Sequence, residues 1–384
     1  MKERLSRVEG FLQEHYDFRY NVVRDQVEWR RKGEDQPFYP QSDYEFNSLV
    51  QDVDRMLESE GSFGFAPTRL QKLLHSDFVR SYHPIREYFQ DLPTRQGTKA
   101  IQALASSVEV ADSSRFGTLL TKWLVAVVAN ALNDEGCQNH LCLVLVGPQG
   151  VGKTTWLNNL MPPSLRSYLY TGQLAFESKE TLALLADSLL INLDDQLRNA
   201  NRRNADTLKM LISLPKVELR RAYAARASRY PRLASFMGSA NIGDFLNDPT
   251  GARRFLTFEA KDIYLDVALG VEIDEVWAEA HSLYQRGMRY WLDQEEIADL
   301  SSRNDVYREP TFEEALVERH LQLSDSRLLK LDEILTTLAK RAEGQRLNHR
   351  LVTDALRMMG ATNNPRRDPN AQGRPVRGWN VAFR

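Results

Sequence analysis

Apolar positions along this chain change their pattern at about residue 100 and again at about residue 293. Before the first change they come in short amphipathic groups. Asn21–Arg30 has the character of a hairpin or of short strands, and Ser42-Asp43-Tyr44-Glu45 is a capping box opening an amphipathic helix through about Leu57. Leu70–Phe78 and Ile85–Phe89 read as two further short helices. Asp91-Leu92-Pro93 marks a break, and Thr94–Thr98 reads as a linker. Residues 1–95 are therefore expected to form a small α+β unit.

The middle of the chain, about 100–292, has an α/β pattern. A strongly apolar helix, Phe116–Leu132, leads into a buried strand, Leu141–Val146, then a glycine loop and another helix. Buried strands Ser188–Leu193 and Leu233–Gly238 follow at spacings suited to a parallel sheet with helical crossovers. Ala298–Glu313 is polar and reads as a connector. Residues 314–384 read as a small, mainly helical unit ending in the basic stretch Gly373–Val381, a pattern similar to a winged helix.

A chain of 384 residues, 42% hydrophobic and 27% charged, can bury a sizeable core and suits two or three units. Its net charge of −2 conceals local asymmetry: Lys216–Arg232 holds six Lys/Arg against one Glu, and Arg341–Arg384 holds nine Arg against three acids. Nucleic acid is met by such local patches rather than by a basic total. Two cysteines are too few for a disulfide framework, and Cys142 reads as a small buried hydrophobe. The start, Met1-Lys2-Glu3-Arg4, lacks a signal-peptide core. The longest apolar stretch, Trp123–Leu132, is too short to span a bilayer, so a soluble, cytoplasmic protein without a membrane partner is expected.

The strongest chemical signal is Gly147-Pro148-Gln149-Gly150-Val151-Gly152-Lys153-Thr154, followed by Thr155. It is a full Walker A sequence between a buried strand and a helix. Its glycines let backbone N–H groups curl around phosphates. Lys153 would reach the β and γ phosphates of ATP, and the Thr154 hydroxyl would hold Mg²⁺. Ser188–Leu193 ends in Asp194-Asp195, a Walker B arrangement in which Asp194 is assigned to the metal and Asp195 to the attacking water. Ser235–Asn241 is an apolar strand ending in an amide suited to sit between the two Walker strands and sense the γ phosphate. Phe245–Phe255 then brings the pair Arg253-Arg254, which suits an arginine finger reaching a neighbouring subunit's nucleotide. In the basic segment, Lys216, Arg220, Arg221, Arg226, Arg229 and Arg232 interleave with Tyr223 and Tyr230. Cations follow phosphates there, and rings stack on unpaired bases. His75, His83 and His140 lack metal-ligand spacing and read as structural, and Trp123 reads as a core anchor.

These motifs together resemble the virulence-associated protein E (VapE) family, within the superfamily 3 helicases of the AAA+ class. The resemblance covers roughly residues 80–265. It rests on the Walker A loop, the Asp-Asp strand, Leu208-Lys209-Met210, Arg220-Arg221-Ala222-Tyr223, Gly238-Ser239-Ala240-Asn241 and Phe245–Phe255. It implies a P-loop AAA+ core and a hexameric ring acting on DNA in a phage, plasmid or integrated element, often beside a separate primase. It also implies that the segment between the Walker B strand and Asn241 carries a DNA-engaging hairpin at the ring's pore. Two features depart from the pattern. Asp195 stands where such motors more often place Glu, and the first 95 residues lack a compact set of catalytic acids, so they read as a collar or loading domain.

The expected function is an ATP-dependent DNA helicase or translocase on single-stranded or forked DNA. Two alternatives stand beside it. One is an ATP-controlled oligomeric switch in defence or regulation. The other is a replication-origin binding or loading protein that does not unwind.

Overall fold

The computed structural model describes residues 2–59, 61, 64–176, 178–194, 196–199, 202–221, 226–241, 252–307, 310–324, 327–342, 344–367 and 375–384. It is a mixed α/β structure of two compact units, Met1–Tyr307 and Arg308–Arg384.

At the centre of the first unit is a five-stranded parallel sheet. Its order is Phe255–Glu259, Cys142–Val146, Ser235–Ala240, Leu190–Asn192, Leu169–Tyr170. The central strands are buried along their whole length because both faces are covered, as parallel sheets require. Leu143 and Leu145 face one core with Trp123, Trp156, Trp277 and Met237. Cys142, Val144 and Val146 face the other with Phe236, Ile191, Leu211 and Ile212. Helix Ser113–Leu132 starts at Asp112, whose side chain caps Arg115 N, and buries Phe116 and every residue from Leu119 to Ala131. Its Trp123 is fully buried and donates to Phe236 O at 3.3 Å, while Asn130 donates to Leu233 O at 2.8 Å.

The two edge strands, Leu169–Tyr170 and Phe255–Glu259, give little signal in the sequence. The first is two residues long, and the second is broken by polar Thr257 and Glu259.

The N-terminal residues form the hairpin Tyr16–Asn21/Gln26–Arg31, with helices Lys2–His15, Asp43–Ser59 and Pro67–Leu74 around a core of Leu12, Tyr16, Val27, Leu49, Val53 and Leu57. The capping box is formed: Glu45 N donates to Ser42 Oγ, and Ser42 N donates to Glu45 Oε2 at 2.9 Å. Two sequence expectations need correction. Ile85 and Phe89 pack in the core of the central sheet, and Arg95 of the expected linker forms a double hydrogen bond to Glu275 at 2.5 and 2.6 Å. The stretch expected to be a polar connector contains most of a helix, Gln294–Asn304, started by an Asp293/Glu296 capping box. Leu300 of that helix is buried, and Asn304 donates to Phe255 O at 2.8 Å. A connector taken from Ala298 onward includes the helix's charged surface and leaves out its cap.

The second unit runs helix Phe312–His320, strand Leu321–Leu323, helices Leu331–Arg341 and His349–Met358, then the hairpin Asn363–Arg367/Pro375–Trp379 and strand Val381–Phe383. Strand Leu321–Leu323 pairs antiparallel with Val381–Phe383, and Trp379 is buried in the unit's core. Among the described residues of the whole chain, no helix is long and apolar enough to cross a membrane.

His83 is a structural cap, as expected. Its Nδ1 accepts from Arg86 N at 3.3 Å at the start of helix Pro84–Asp91, and burial, aided by Arg86, lowers its pKa to about 4. The folded state therefore resists protonation that the unfolded chain accepts below about pH 6.5. This contribution is fully present above that pH and is lost as pH falls towards 4. His83→Asn keeps a capping side chain without a titrating one. Thermal melts from pH 7 to 4 should show a shallower fall in Tm for His83→Asn than for the wild type; parallel curves would refute this origin.

Candidate functional site

Strand Cys142–Val146 ends at Gly147, whose N–H donates to Ala240 O at 3.2 Å. A Cβ on Gly147 would stand 2.3 Å from Ala260 O, so only glycine lets the chain leave the sheet here. Pro148, Gln149 and Gly150 are exposed, and Gly150 and Gly152 adopt φ of 88° and 93°, the left-handed region that glycine enters without strain. The loop delivers the chain into helix Lys153–Asn158. Lys153 is buried and its Nζ donates to Gly147 O at 2.9 Å and Pro148 O at 2.7 Å, which keeps the ammonium inside the curve of the loop. Val151 is half-buried, and Thr155 is exposed on the helix. Behind the loop, Trp156 Nε1 donates to Ser107 Oγ at 2.8 Å.

Two strands away, Leu193 N donates to Met237 O at 2.8 Å, so Asp194 leaves the sheet at the same edge. Thr154 Oγ1 donates to Asp194 Oδ1 at 2.9 Å, joining residues forty positions apart. Ser239 Oγ donates to the same carboxylate oxygen. A hydroxyl and a carboxylate held together form a hard-oxygen set of the kind Mg²⁺ takes. Asn241 follows Ala240 directly, on the strand that separates the Asp194 strand from the loop strand. Asp195 and Phe245–Gly251 lie outside the described residues.

Arg253 and Arg254 stand at the other end of the sheet. Phe255 pairs with Cys142, at the start of the loop strand. The length of strand Cys142–Val146, about 16 Å, therefore separates the arginine pair from Gly147 in the same chain. Arg253 is exposed. Arg254 is half-buried, donates from Nε to Ser213 Oγ at 3.1 Å, and has its pKa lowered by burial and then by Arg253. Both line a cleft of about 320 Å³ with His140 and Trp291.

The basic segment folds as an antiparallel hairpin, Lys216–Leu219 with Ser228–Pro231, and Arg229 stands opposite Glu218. Its cations divide into two groups. Arg232 is buried; it donates to Leu214 O at 2.6 Å and Asn139 O at 2.7 Å, and burial lowers its pKa to about 10. Arg221, with its side chain 9% exposed, grips Asp187 at 2.6 Å, donates to Val23 O at 2.7 Å and lies 4.7 Å over the Tyr230 ring. Lys216 binds Glu135 at 2.9 Å. These three, and Tyr230 beneath Arg221, are occupied in holding the hairpin's base. Arg220, Arg226 and Arg229 are exposed near the turn, Arg229 in a solvated pair with Glu218 at 3.4 Å; Tyr223 lies outside the described residues.

The family model described as the virulence-associated protein E-like domain matches residues 90–309, more than half of the chain. The chain belongs to this VapE-like family. No curated protein matches it. Among solved structures it is similar in fold to the apo C-terminal region of NrS-1, at 11% identity and a TM-score of 0.54, with all of both chains covered. A second structure of that region, its A form, gives 11% identity and 0.51, again over both full lengths.

In this VapE-like chain, sequence reasoning missed Ser239 as a partner of Asp194 and Asn158 as a partner of Asn192, at 2.9 Å. Ser239 had a visible signal: with Ser235 it is one of two hydroxyls within a fully buried strand. The Arg221–Asp187 pair had none, since the two residues are distant in sequence. Breaking that pair has a distinct signature. Arg221→Ala leaves a half-buried carboxylate unpaired and should cost about 1–3 kcal/mol, read as a lower Tm. Arg226→Ala with Arg229→Ala should leave Tm unchanged and flatten the dependence of log affinity for single-stranded DNA on log salt. The slope should fall by up to about one for each phosphate that these side chains neutralise. The opposite assignment of the two effects would overturn this division.

Proposed function

We propose that the chain is an ATP-dependent, ring-forming DNA translocase of the helicase type, with a P-loop core of the AAA+ kind, serving replication of a phage or mobile element. The observation that carries this reading is the 2.9 Å contact between Thr154 and Asp194 at the open edge of the sheet, beside a loop curved by Gly150 and Gly152.

The residues present fit Mg·ATP. The loop N–H groups and Lys153 suit the phosphates, and Thr154 with Asp194 suits the metal. When bound, the nucleotide supplies the phosphoanhydride whose hydrolysis drives the cycle. Ser239 orients the Asp194 carboxylate, Asn241 stands at the same edge as a γ-phosphate sensor, and Asp195 is the residue assigned to polarise water. Arg253 and Arg254 are too far along the sheet to serve their own loop, so their partner is a neighbouring protomer's site. Arg253, exposed, is the better finger, and Arg254, held by Ser213, its support. The exposed hairpin cations would hold single-stranded or forked DNA, with a separate primase as a further partner.

A specific feature favours one rival. Asp195 is shorter than the Glu usual in such motors, and an ATP-controlled switch needs binding more than turnover. The switch predicts ATP-dependent assembly that persists in Asp195→Asn, without movement on DNA.

The direct test is Mg²⁺-dependent ATP hydrolysis with and without single-stranded DNA, together with unwinding of a forked duplex. Stimulation by DNA is expected, and Lys153→Ala should reduce turnover by about a hundredfold or more without lowering Tm. An Arg253→Ala, Arg254→Ala double variant titrated into wild-type protein should depress activity more steeply than simple dilution, because each altered protomer disables its neighbour's site. Linear dilution would argue against a shared pocket.

A further inference from the structure

Strand Leu190–Asn192 is buried along its whole length between two cores, where apolar side chains are favoured at every position. Leu190 faces the core that holds Trp156 and Met237, and Ile191 faces the other. Asn192 breaks the run: it is an amide with 0% exposure, in register with Met237. Its Nδ2 donates to Asn158 Oδ1 at 2.9 Å, while its own Oδ1 has no hydrogen-bond partner among the described residues. An unanswered buried carbonyl costs free energy, and an apolar side chain of similar size would avoid that cost. Stability alone therefore does not account for an amide at this position.

Its place on the strand supplies a reason. Asn192 and Asp194 are two positions apart, and both meet helix Lys153–Asn158. Thr154 and Asn158 are four positions apart on that helix, which puts them on one face. Four residues of helix advance about 6 Å and two of strand about 6.6 Å, so the two contacts stand one behind the other as a pair of rungs. The outer rung, at the edge of the sheet, is Thr154 Oγ1 to Asp194 Oδ1 at 2.9 Å. The inner rung is Asn192 Nδ2 to Asn158 Oδ1, also at 2.9 Å. The helix has six residues, too few to hold its own direction, so its tertiary contacts orient it. Trp156 and Leu157 anchor it in the core, and the two rungs tie it to the Asp194 strand at its loop end and one turn below.

We propose that Asn192 and Asn158 are positioning residues for the Mg²⁺ site: the inner rung sets the spacing and angle at which the Thr154 hydroxyl meets the Asp194 carboxylate. The inference rests on the Mg·ATP reading of this edge and adds to it two residues that act through others. With the inner rung in place, the helix cannot turn or slide without breaking a buried hydrogen bond, so Thr154 stays within reach of Asp194. Without it, the hydroxyl and the carboxylate keep their chemistry but lose their alignment, and Mg²⁺ demands near-ideal geometry of its oxygens. Partners standing behind ligating groups change metal affinity by roughly 10- to 100-fold. The effect should fall on the metal and spare the nucleotide. The phosphates are left to the loop N–H groups and Lys153, whose placement depends on Gly147, Gly150 and Gly152 rather than on Asn192.

The test follows Mg²⁺ binding rather than turnover, with the full chain and the fluorescent nucleotide mant-ATP as the probe. Titrations would give the affinity for mant-ATP in EDTA and the Mg²⁺ concentration that half-saturates its metal-dependent rise. Asn192→Leu should keep Tm at or above that of the wild type, leave the affinity in EDTA unchanged and raise the Mg²⁺ midpoint about tenfold or more. Asn158→Ala cuts the same rung at a half-buried position, where folding is at less risk, and should shift the midpoint in the same direction. The double variant should be no worse than the more affected single one, because both remove one contact. A wild-type midpoint in both single variants would overturn the inference. Equal losses with and without Mg²⁺ would mark a structural role and overturn it too. Asp194→Asn separates this inference from the reading beneath it. If that variant shifts the midpoint and the asparagine variants do not, the positioning role fails and the Mg·ATP reading stands. If the wild type shows no Mg²⁺-dependent rise at all, the Mg·ATP reading fails and takes the inference with it.

Discussion

One arrangement in the sheet governs the rest of the first unit: strand Ser235–Ala240 is inserted between the strand that ends in the glycine loop and the strand that ends in Asp194. Parallel pairing with both neighbours sets its register, and at the loop end Gly147 N donates to Ala240 O and Leu193 N to Met237 O. Because parallel strands all leave the sheet at one edge, this register brings Thr154, Asp194, Ser239 and Asn241 to the same place. It also decides what cannot meet there. Strand Phe255–Glu259 starts beside Cys142, so the arginines preceding it emerge at the opposite edge. A purely intramolecular site would leave Arg253 and Arg254 without a phosphate to touch. The topology thus supports an intermolecular pocket on the proposed reading.

The parts of this design that are legible in the sequence are those produced by local rules. A continuous apolar run is what a strand buried on both faces needs, so Cys142–Val146 and Ser235–Ala240 stand out. The glycines of 147–152 stand out because positive φ and the close approach of Ala260 O exclude side chains. The capping box at Ser42 is equally local. Failures occur where the deciding partner is remote. Leu169–Tyr170 is a strand only because Leu190–Asn192 lies beside it. Ile85 and Phe89 follow the N-terminal elements in sequence, yet their apolar faces are satisfied by the sheet's core. Helix Gln294–Asn304 is mostly polar and declares itself through Asp293 and Glu296 at its cap.

Charge shows the same limit more sharply. Arg220, Arg221, Arg226, Arg229 and Arg232 look equivalent as letters, and a solvated face and a buried anchor have the same composition. Folding separates them by desolvation. A guanidinium as buried as that of Arg232 needs partners, and three backbone carbonyls, of Leu214, Ala234 and Asn139, accept from its three nitrogens. Arg221 is answered by Asp187. What remains exposed near the turn is a smaller set of cations than the sequence suggests, and it is this subset that can trade counterions for phosphates.

The occupied cations also constrain how the hairpin can move. Its foot is held to the loop at Glu135 by Lys216, to Asp187 and Val23 O by Arg221, and to Asn139 O by Arg232. Val23 follows the N-terminal hairpin strand whose Asn21 donates to the Tyr168 hydroxyl at 2.7 Å, beside the sheet's far edge. A hairpin fixed at so many points cannot swing on its own base without breaking a half-buried ion pair, at about 1–3 kcal/mol, and stranding a buried guanidinium, at about 3–5 kcal/mol. A displacement of its tip relative to a neighbouring protomer is therefore, on the proposed reading, cheaper as a rotation of the whole compact unit, N-terminal residues included. On the proposed reading, work done at the glycine loop reaches DNA through rigid-body movement between protomers, and the N-terminal hairpin with its helices travels with the basic hairpin as part of the moving body.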